Sequence, residues 1–231
     1  MKKLLFLFFV NAIFCSCIDS EEKLPIKETP ELNYLALGDS YTIGESVHKT
    51  LRWPVQLSDS LRERDVPVNH PRIIARTGWT TADLLKAMDE RLNDEKFDLV
   101  SVLIGVNNQY QGRSIEEYRE DLKEIFRRAI SRSNSGKDGV FAVSIPDYGV
   151  TPFGKEKAEE IRKEIDLFNA VFEETAAEFD IEFYNITPIS RKAATDPSLT
   201  ATDDLHPSGK MYTLWVQEIV KEIAEKTSGG N

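Results

Sequence analysis

The chain has 231 residues, enough for one domain with a full hydrophobic core. Its 41% hydrophobic and 29% charged residues are ordinary for a globular protein, and no solenoid-like repeat recurs. The formal net charge of −10 argues against nucleic acid as a partner, because phosphate binding needs a basic face.

At the N-terminus, Lys2 and Lys3 precede an apolar run from Leu4 to Phe14. The run is too short to span a bilayer as a helix but suits the core of a secretory signal. Cys15-Ser16-Cys17 ends it, and a polar stretch follows. A small residue just before a cysteine resembles a bacterial lipoprotein cleavage site, where the cysteine becomes the N-terminus and carries lipid. Cys17 is the expected lipidation site, with residues 1–16 as signal and 17–31 as a tether rich in Glu and Lys. An ordinary secretory signal with two incidental cysteines is the competing reading. The placement of both cysteines at this one point favours lipidation and an exported, membrane-anchored protein. Loss of the leader takes the net charge from −10 to −12, so membrane attachment is expected only through that lipid. No cysteine follows Cys17, which leaves no disulfide framework, thiolate metal site or cysteine nucleophile beyond it.

From Leu32 onward, strand and helix patterns alternate. Leu32 to Leu37 reads as a buried strand ending at Gly38, and Pro54 to Arg64 as a helix. Arg72 to Ala75 is a second, weaker strand. Thr80 or Thr81 caps a helix that runs through Leu92. Leu99 to Ile104 is the clearest buried strand, and Ser114 to Glu117 spells a capping box for a helix reaching Ile130. Val140 to Ile145 is a fourth strand and Lys155 to Phe179 a long helix. Ile181 to Ile186 is a fifth strand, and Ser208 to Ala224 the last helix. The connections after the strands look short. Five β-then-α units predict a three-layer α/β/α sandwich around a five-stranded parallel sheet, with a domain over 32–226 and a tail over 227–231. A ligand site in such a sheet lies beyond the carboxyl ends of the strands.

Four signals fall at those ends. Gly38-Asp39-Ser40 follows the first strand and suits an exposed hydroxyl, although Asp and Ser are also common helix caps. Gly78 follows the second strand, where its backbone N–H can approach a ligand closely. Gly105-Val106-Asn107 follows the third, and an asparagine amide there can face a developing negative charge. Near the C-terminus stands Asp203-Asp204-Leu205-His206. A serine hydroxyl needs a base. Of the three histidines, His48 and His70 sit in polar stretches and read as surface residues. His206 remains, with Asp203 one turn earlier to hold its second nitrogen and Asp204 as the rival partner.

This ordered set resembles the SGNH hydrolases, also called GDSL esterases, over about Leu32 to Ala224. Tyr41 stands where the family name has leucine, and Asn108 where many members have aspartate. The resemblance implies a flavodoxin-like fold and a Ser40–His206–Asp203 triad forming an acyl-enzyme. It also implies an oxyanion hole from Ser40, Gly78 and Asn107, and neither metal nor organic cofactor. The expected substrate is a small-molecule or glycan ester with a short acyl group, such as an acetylated carbohydrate; Trp79 and Tyr110 can stack on sugar rings beside a polar cleft, with core or rim packing as their competing reading. A lysophospholipase or thioesterase on the same scaffold, or a non-catalytic glycan-binding lipoprotein, are the alternatives.

Overall fold

The computed structural model describes residues 31–228. The expected signal over 1–16, Cys17 with nearly all of the tether, and tail residues 229–231 lie outside the described residues.

Five strands form one sheet: β1 (Tyr34–Gly38), β2 (Arg72–Ala75), β3 (Leu99–Leu103), β4 (Val140–Val143) and β5 (Glu182–Tyr184). The order is β2-β1-β3-β4-β5 and every pairing is parallel. Parallel strands covered on both faces read as unbroken apolar runs. That is the pattern of β1 and β3, in which every residue is buried. Edge strand β5 keeps only three residues of the expected six-residue run. Ile181 and Ile186 at its ends are buried by packing and not by ladder pairing.

Register then sets the site. Gly38 pairs with Ala75 on one side and Leu103 on the other. Three strands therefore end level, and the segments holding Ser40, Gly78 and Asn107 leave the sheet from one edge. Helices α2 (Trp53–Arg62) and α8 (Gly209–Ser228) pack together on one face. On the other, α5 (Ile115–Arg132) packs between α3 (Thr81–Arg91) and α6 (Ala158–Glu178). The short helices are α1 (Ser40–Ile43), α4 (Val106–Tyr110) and α7 (Thr187–Ser190).

Two local expectations are revised. At α5, Ser114 accepts the Glu117 N–H at 3.1 Å, but only this half of the expected capping box is made. The complete box opens α3, where Thr80 caps and the Asp83 carboxylate reaches back to the Thr80 N–H at 3.0 Å. The connections after β4 and β5 are not short. They run over 144–157 and 185–208, and fold into helical turns such as Tyr148–Val150 and Pro197–Leu199. Buried polar groups tie them down. Ser144 Oγ accepts the N–H groups of Ile186 at 2.9 Å and Thr187 at 3.1 Å. The Asn169 amide brackets Ile145, accepting its N–H at 2.8 Å and donating to its carbonyl at 2.9 Å.

Candidate active site

Ser40 is the first residue of α1, directly beyond the end of β1. Asp39 takes the capping role, its Oδ1 accepting the Tyr41 N–H at 3.0 Å. The cap is therefore Asp39, and the Ser40 hydroxyl is left for chemistry. Gly44, with φ 66°, ends the helix after four residues. Asp39 is fully buried and its Oδ2 has no hydrogen-bond partner. Burial pushes its carboxyl up to about 7, against the opposing pull of the backbone N–H groups of Tyr41, its own residue and Gly105.

Asn107 lies on α4. The turn before it needs Gly105, whose φ is 129°, and a Cβ there would sit 2.6 Å from Tyr118 Oη. Asn107 Nδ2 donates to the Trp79 carbonyl at 2.9 Å and so ties the β3–α4 turn to the loop holding Gly78. This bond uses one of the two N–H groups of the Asn107 amide. Asn108 has a different task. It is fully buried, accepts the Thr81 N–H at 3.0 Å and donates to Thr81 Oγ1 at 2.7 Å. Thr81 in turn donates to Asp121 at 2.6 Å. This chain bolts α4 to the start of α3 and holds the segments of Gly78 and Asn107 together. What reads as a departure from the family pattern is a structural tie.

At the other side of the site, His206 Nδ1 meets Asp203 Oδ2 at 2.6 Å. Asp203 Oδ1 accepts the backbone N–H groups of His206 at 2.9 Å and Leu205 at 3.1 Å. Burial acts to raise the Asp203 carboxyl, but the Ser46 hydroxyl, the His206 N–H, its ring and the Leu205 N–H outweigh it and hold the group well below the usual carboxylate range. With Nδ1–H given to Asp203, the Nε2 lone pair of neutral His206 is free to accept a proton. Asp204, the rival partner, adopts φ 62° and hydrogen-bonds neither His206 nor Ser40. Its carbonyl accepts the Phe153 N–H at 3.0 Å. The Tyr41 ring meets the His206 ring edge-on, with centroids 5.8 Å apart. The Ser40 hydroxyl and His206 are not hydrogen-bonded here; such contacts commonly tighten only around substrate. His48 and His70 are exposed, and His48 bonds Thr50 within its own turn.

A cleft of about 450 Å³ opens beside α4, lined by Tyr110, Tyr148, Phe153, Glu156, Glu160 and Glu164 among others. The three rings pack at centroid distances of 6.3–6.4 Å, and Tyr110 is 62% exposed. Tyr148 also lines the small cavity that holds Tyr41 and His206, so cleft and base share a wall. Trp79, by contrast, carries the Arg91 guanidinium 5.3 Å from its ring centre, which occupies one face. Ser46, Tyr148 and Phe153 escape the sequence reading. The last two had a signal, in the turn-rich stretch Pro146-Asp147-Tyr148-Gly149 and Pro152-Phe153-Gly154. Ser46 had none.

A family model, that of the GDSL-like Lipase/Acylhydrolase family, matches residues 36–214. No curated protein matches the chain by sequence. Among solved structures, TesA is similar at 17% identity and a TM-score of 0.67, over 84% of this chain and 98% of that one. The psychrotrophic esterase EstA from Pseudoalteromonas sp., in a structure inhibited by monoethylphosphonate, is 16% identical with a TM-score of 0.66, over 86% and 100%. The lipase/acylhydrolase from Enterococcus faecalis is 22% identical with a TM-score of 0.64, over 84% and 96%. At these identities the structures speak for the fold, and the family match speaks for the class: the chain belongs to the GDSL-like lipase/acylhydrolase family and is a carboxylic ester hydrolase.

Proposed function

We propose that the enzyme cleaves short acyl esters, acetylated carbohydrate among them, through an acyl-enzyme on Ser40. The observation that carries the mechanism is the 2.6 Å bond between His206 Nδ1 and Asp203 Oδ2 at the strand ends that also present Ser40. His206 Nε2 takes the Ser40 proton as Oγ attacks the ester carbonyl carbon. The oxyanion faces the N–H groups of Ser40 and Gly78 and the Asn107 amide. Collapse expels the alcohol, which leaves with the proton from His206, and Ser40 is acylated. Water then gives a proton to His206 and adds to the acyl carbon; collapse releases the acid as His206 returns that proton to the departing Ser40 oxygen.

The cleft supports a short, polar substrate. Three carboxylates line it beside the rings. A long acyl chain gains roughly 0.8 kcal/mol for each CH₂ it buries in apolar lining, and carboxylates withdraw that gain. Tyr110 and Phe153 offer exposed ring surface, and Glu side chains accept from hydroxyls, a combination suited to a sugar. A fluorophosphonate probe should label the wild type and fail on Ser40→Ala, which keeps the fold and loses nearly all esterase activity. Retained activity with an unchanged circular dichroism spectrum overturns the nucleophile. Across p-nitrophenyl esters from acetate to palmitate, kcat/KM should peak at the short end, and a maximum at eight carbons or longer overturns the acyl assignment.

We also propose that the protein is exported and anchored through lipid on Cys17. Fatty-acid labelling should be lost in Cys17→Ser, and equal labelling of both proteins overturns the anchor.

A further inference from the structure

The Asp203 carboxylate is bound from two places in the chain. Its Oδ1 is held by its own turn, through Leu205 and His206. Its Oδ2 takes two donors, His206 Nδ1 at 2.6 Å and the Ser46 hydroxyl at 2.5 Å. We propose that Ser46 is a positioning residue of this enzyme: its hydroxyl fixes the Asp203 carboxylate and competes with His206 for the same oxygen, which sets how firmly the imidazole is held. The inference rests on the assignment of Ser40, His206 and Asp203 above.

Ser46 lies in the loop that closes α1, two residues beyond Gly44. Its φ is 62°, a region that non-glycine residues rarely enter and that aims the hydroxyl across to Asp203. The preceding residue braces the opposite side, since the Glu45 carboxylate accepts the Thr77 hydroxyl, next to Gly78. One short loop after the nucleophile thus touches both the oxyanion segment and the acid.

The sign of the effect follows from charge. Two donors on one oxygen share its negative charge. Removal of the Ser46 hydroxyl leaves more of it for His206, stabilises the protonated ring, and moves the rising limb of kcat/KM to higher pH. Asp203 remains ionised throughout, since it is held well below the usual carboxylate range. The other groups facing the pair are unchanged by the substitution. They are Asp39 and Tyr41 at the start of α1, Glu45 and Arg52 before α2, Asp147 and Tyr148 after β4, and Tyr212 of α8. The freed carboxylate also holds the ring less steadily, so kcat falls. Ser46 is exposed, and its replacement leaves the core intact.

The experiment compares Ser46→Ala and Ser46→Gly with wild type and Ser40→Ala, on p-nitrophenyl acetate across pH. Glycine accepts the positive φ freely, whereas alanine does not, yet both lack the hydroxyl. Both Ser46 variants should lose about tenfold in kcat with KM unchanged. The rising limb should move up by on the order of half a pH unit in both. Wild-type kcat and an unmoved limb in Ser46→Gly overturn the proposal, and so does a loss confined to Ser46→Ala, which traces to backbone strain. A fall in kcat with the limb unmoved overturns the competition for Oδ2. An active Ser40→Ala instead removes the triad assignment itself, so the two failures are distinguishable.

Discussion

Asp39→Asn tests the electrostatics beneath the nucleophile. The Asp39 carboxyl is fully buried and is pushed from 3.8 to about 7. A raised carboxyl means that the folded protein holds this proton more tightly than the unfolded chain. Below pH 3.8 both states carry it and the group has no effect. Between 3.8 and about 7 the unfolded chain ionises first, so stability falls as pH rises, and above about 7 the whole cost is present. A shift of about three pH units corresponds to about 4 kcal/mol, a large part of the 5–15 kcal/mol typical of a folded domain. About 2–3 kcal/mol of that cost falls between roughly pH 5 and pH 8. Asparagine keeps the cap, because its carbonyl can still accept the Tyr41 N–H, and it carries no charge at any pH. Its N–H₂ would face the place where Asp39 Oδ2 has no partner, a cost of about 1–3 kcal/mol that does not change with pH. Urea unfolding of both proteins at pH 5 and pH 8 separates the two effects. The stability difference should move in favour of the variant by about 2–3 kcal/mol from the lower to the higher pH, or about 1 M in urea midpoint. Other titrating groups are common to both proteins and cancel in the difference. A difference constant with pH would refute the abnormal ionisation of Asp39, whatever its absolute size.

Asn107→Ala removes the proposed side-chain oxyanion donor, so kcat should fall by about 10²–10³-fold, and a change confined to KM would reduce Asn107 to a binding group. Asp203→Asn should lower kcat by roughly 10³–10⁴-fold through the wrong imidazole tautomer. Asp204→Asn should leave the rate near wild type, because asparagine tolerates the φ of 62° found there; the reverse order in steady-state kinetics means that the partner is misassigned. Arg191→Met strips the cation, 2.9 Å away, from Asp147, whose side chain is 1% exposed, and should destabilise the fold by about 3–5 kcal/mol in urea melts. A loss within about 0.5 kcal/mol would show that the buried carboxylate has no need of its partner.

The sequence by itself determined the class of fold and marked Ser40, His206 and Asp203, with Asp204 as the rival, as candidate residues for the chemistry. Strand and turn signals are local: the apolar runs of β1 and β3 and the glycines after them carry their meaning within about ten residues. Asp203 and His206 are likewise legible, because three residues of spacing bring one side chain over the other. Only the tertiary structure decided which aspartate side chain meets the ring, since that depends on the φ of Asp204 and on the Phe153 N–H that engages its carbonyl. It also decided the role of Asn108, which lies in the bond to Thr81 across 27 positions. Ser46 is the extreme case, an undistinguished serine in a polar loop until the fold carries it to a carboxylate 157 positions away. The lengths of the β4 and β5 connections misled the reading for the same reason. Their short helical turns bury few apolar groups in a regular period, and are held by single polar bonds from Ser144, Asn169 and Arg191. Periodicity reports what a segment buries; it carries no record of which distant donor meets which acceptor, and in this protein those pairings arrange the site.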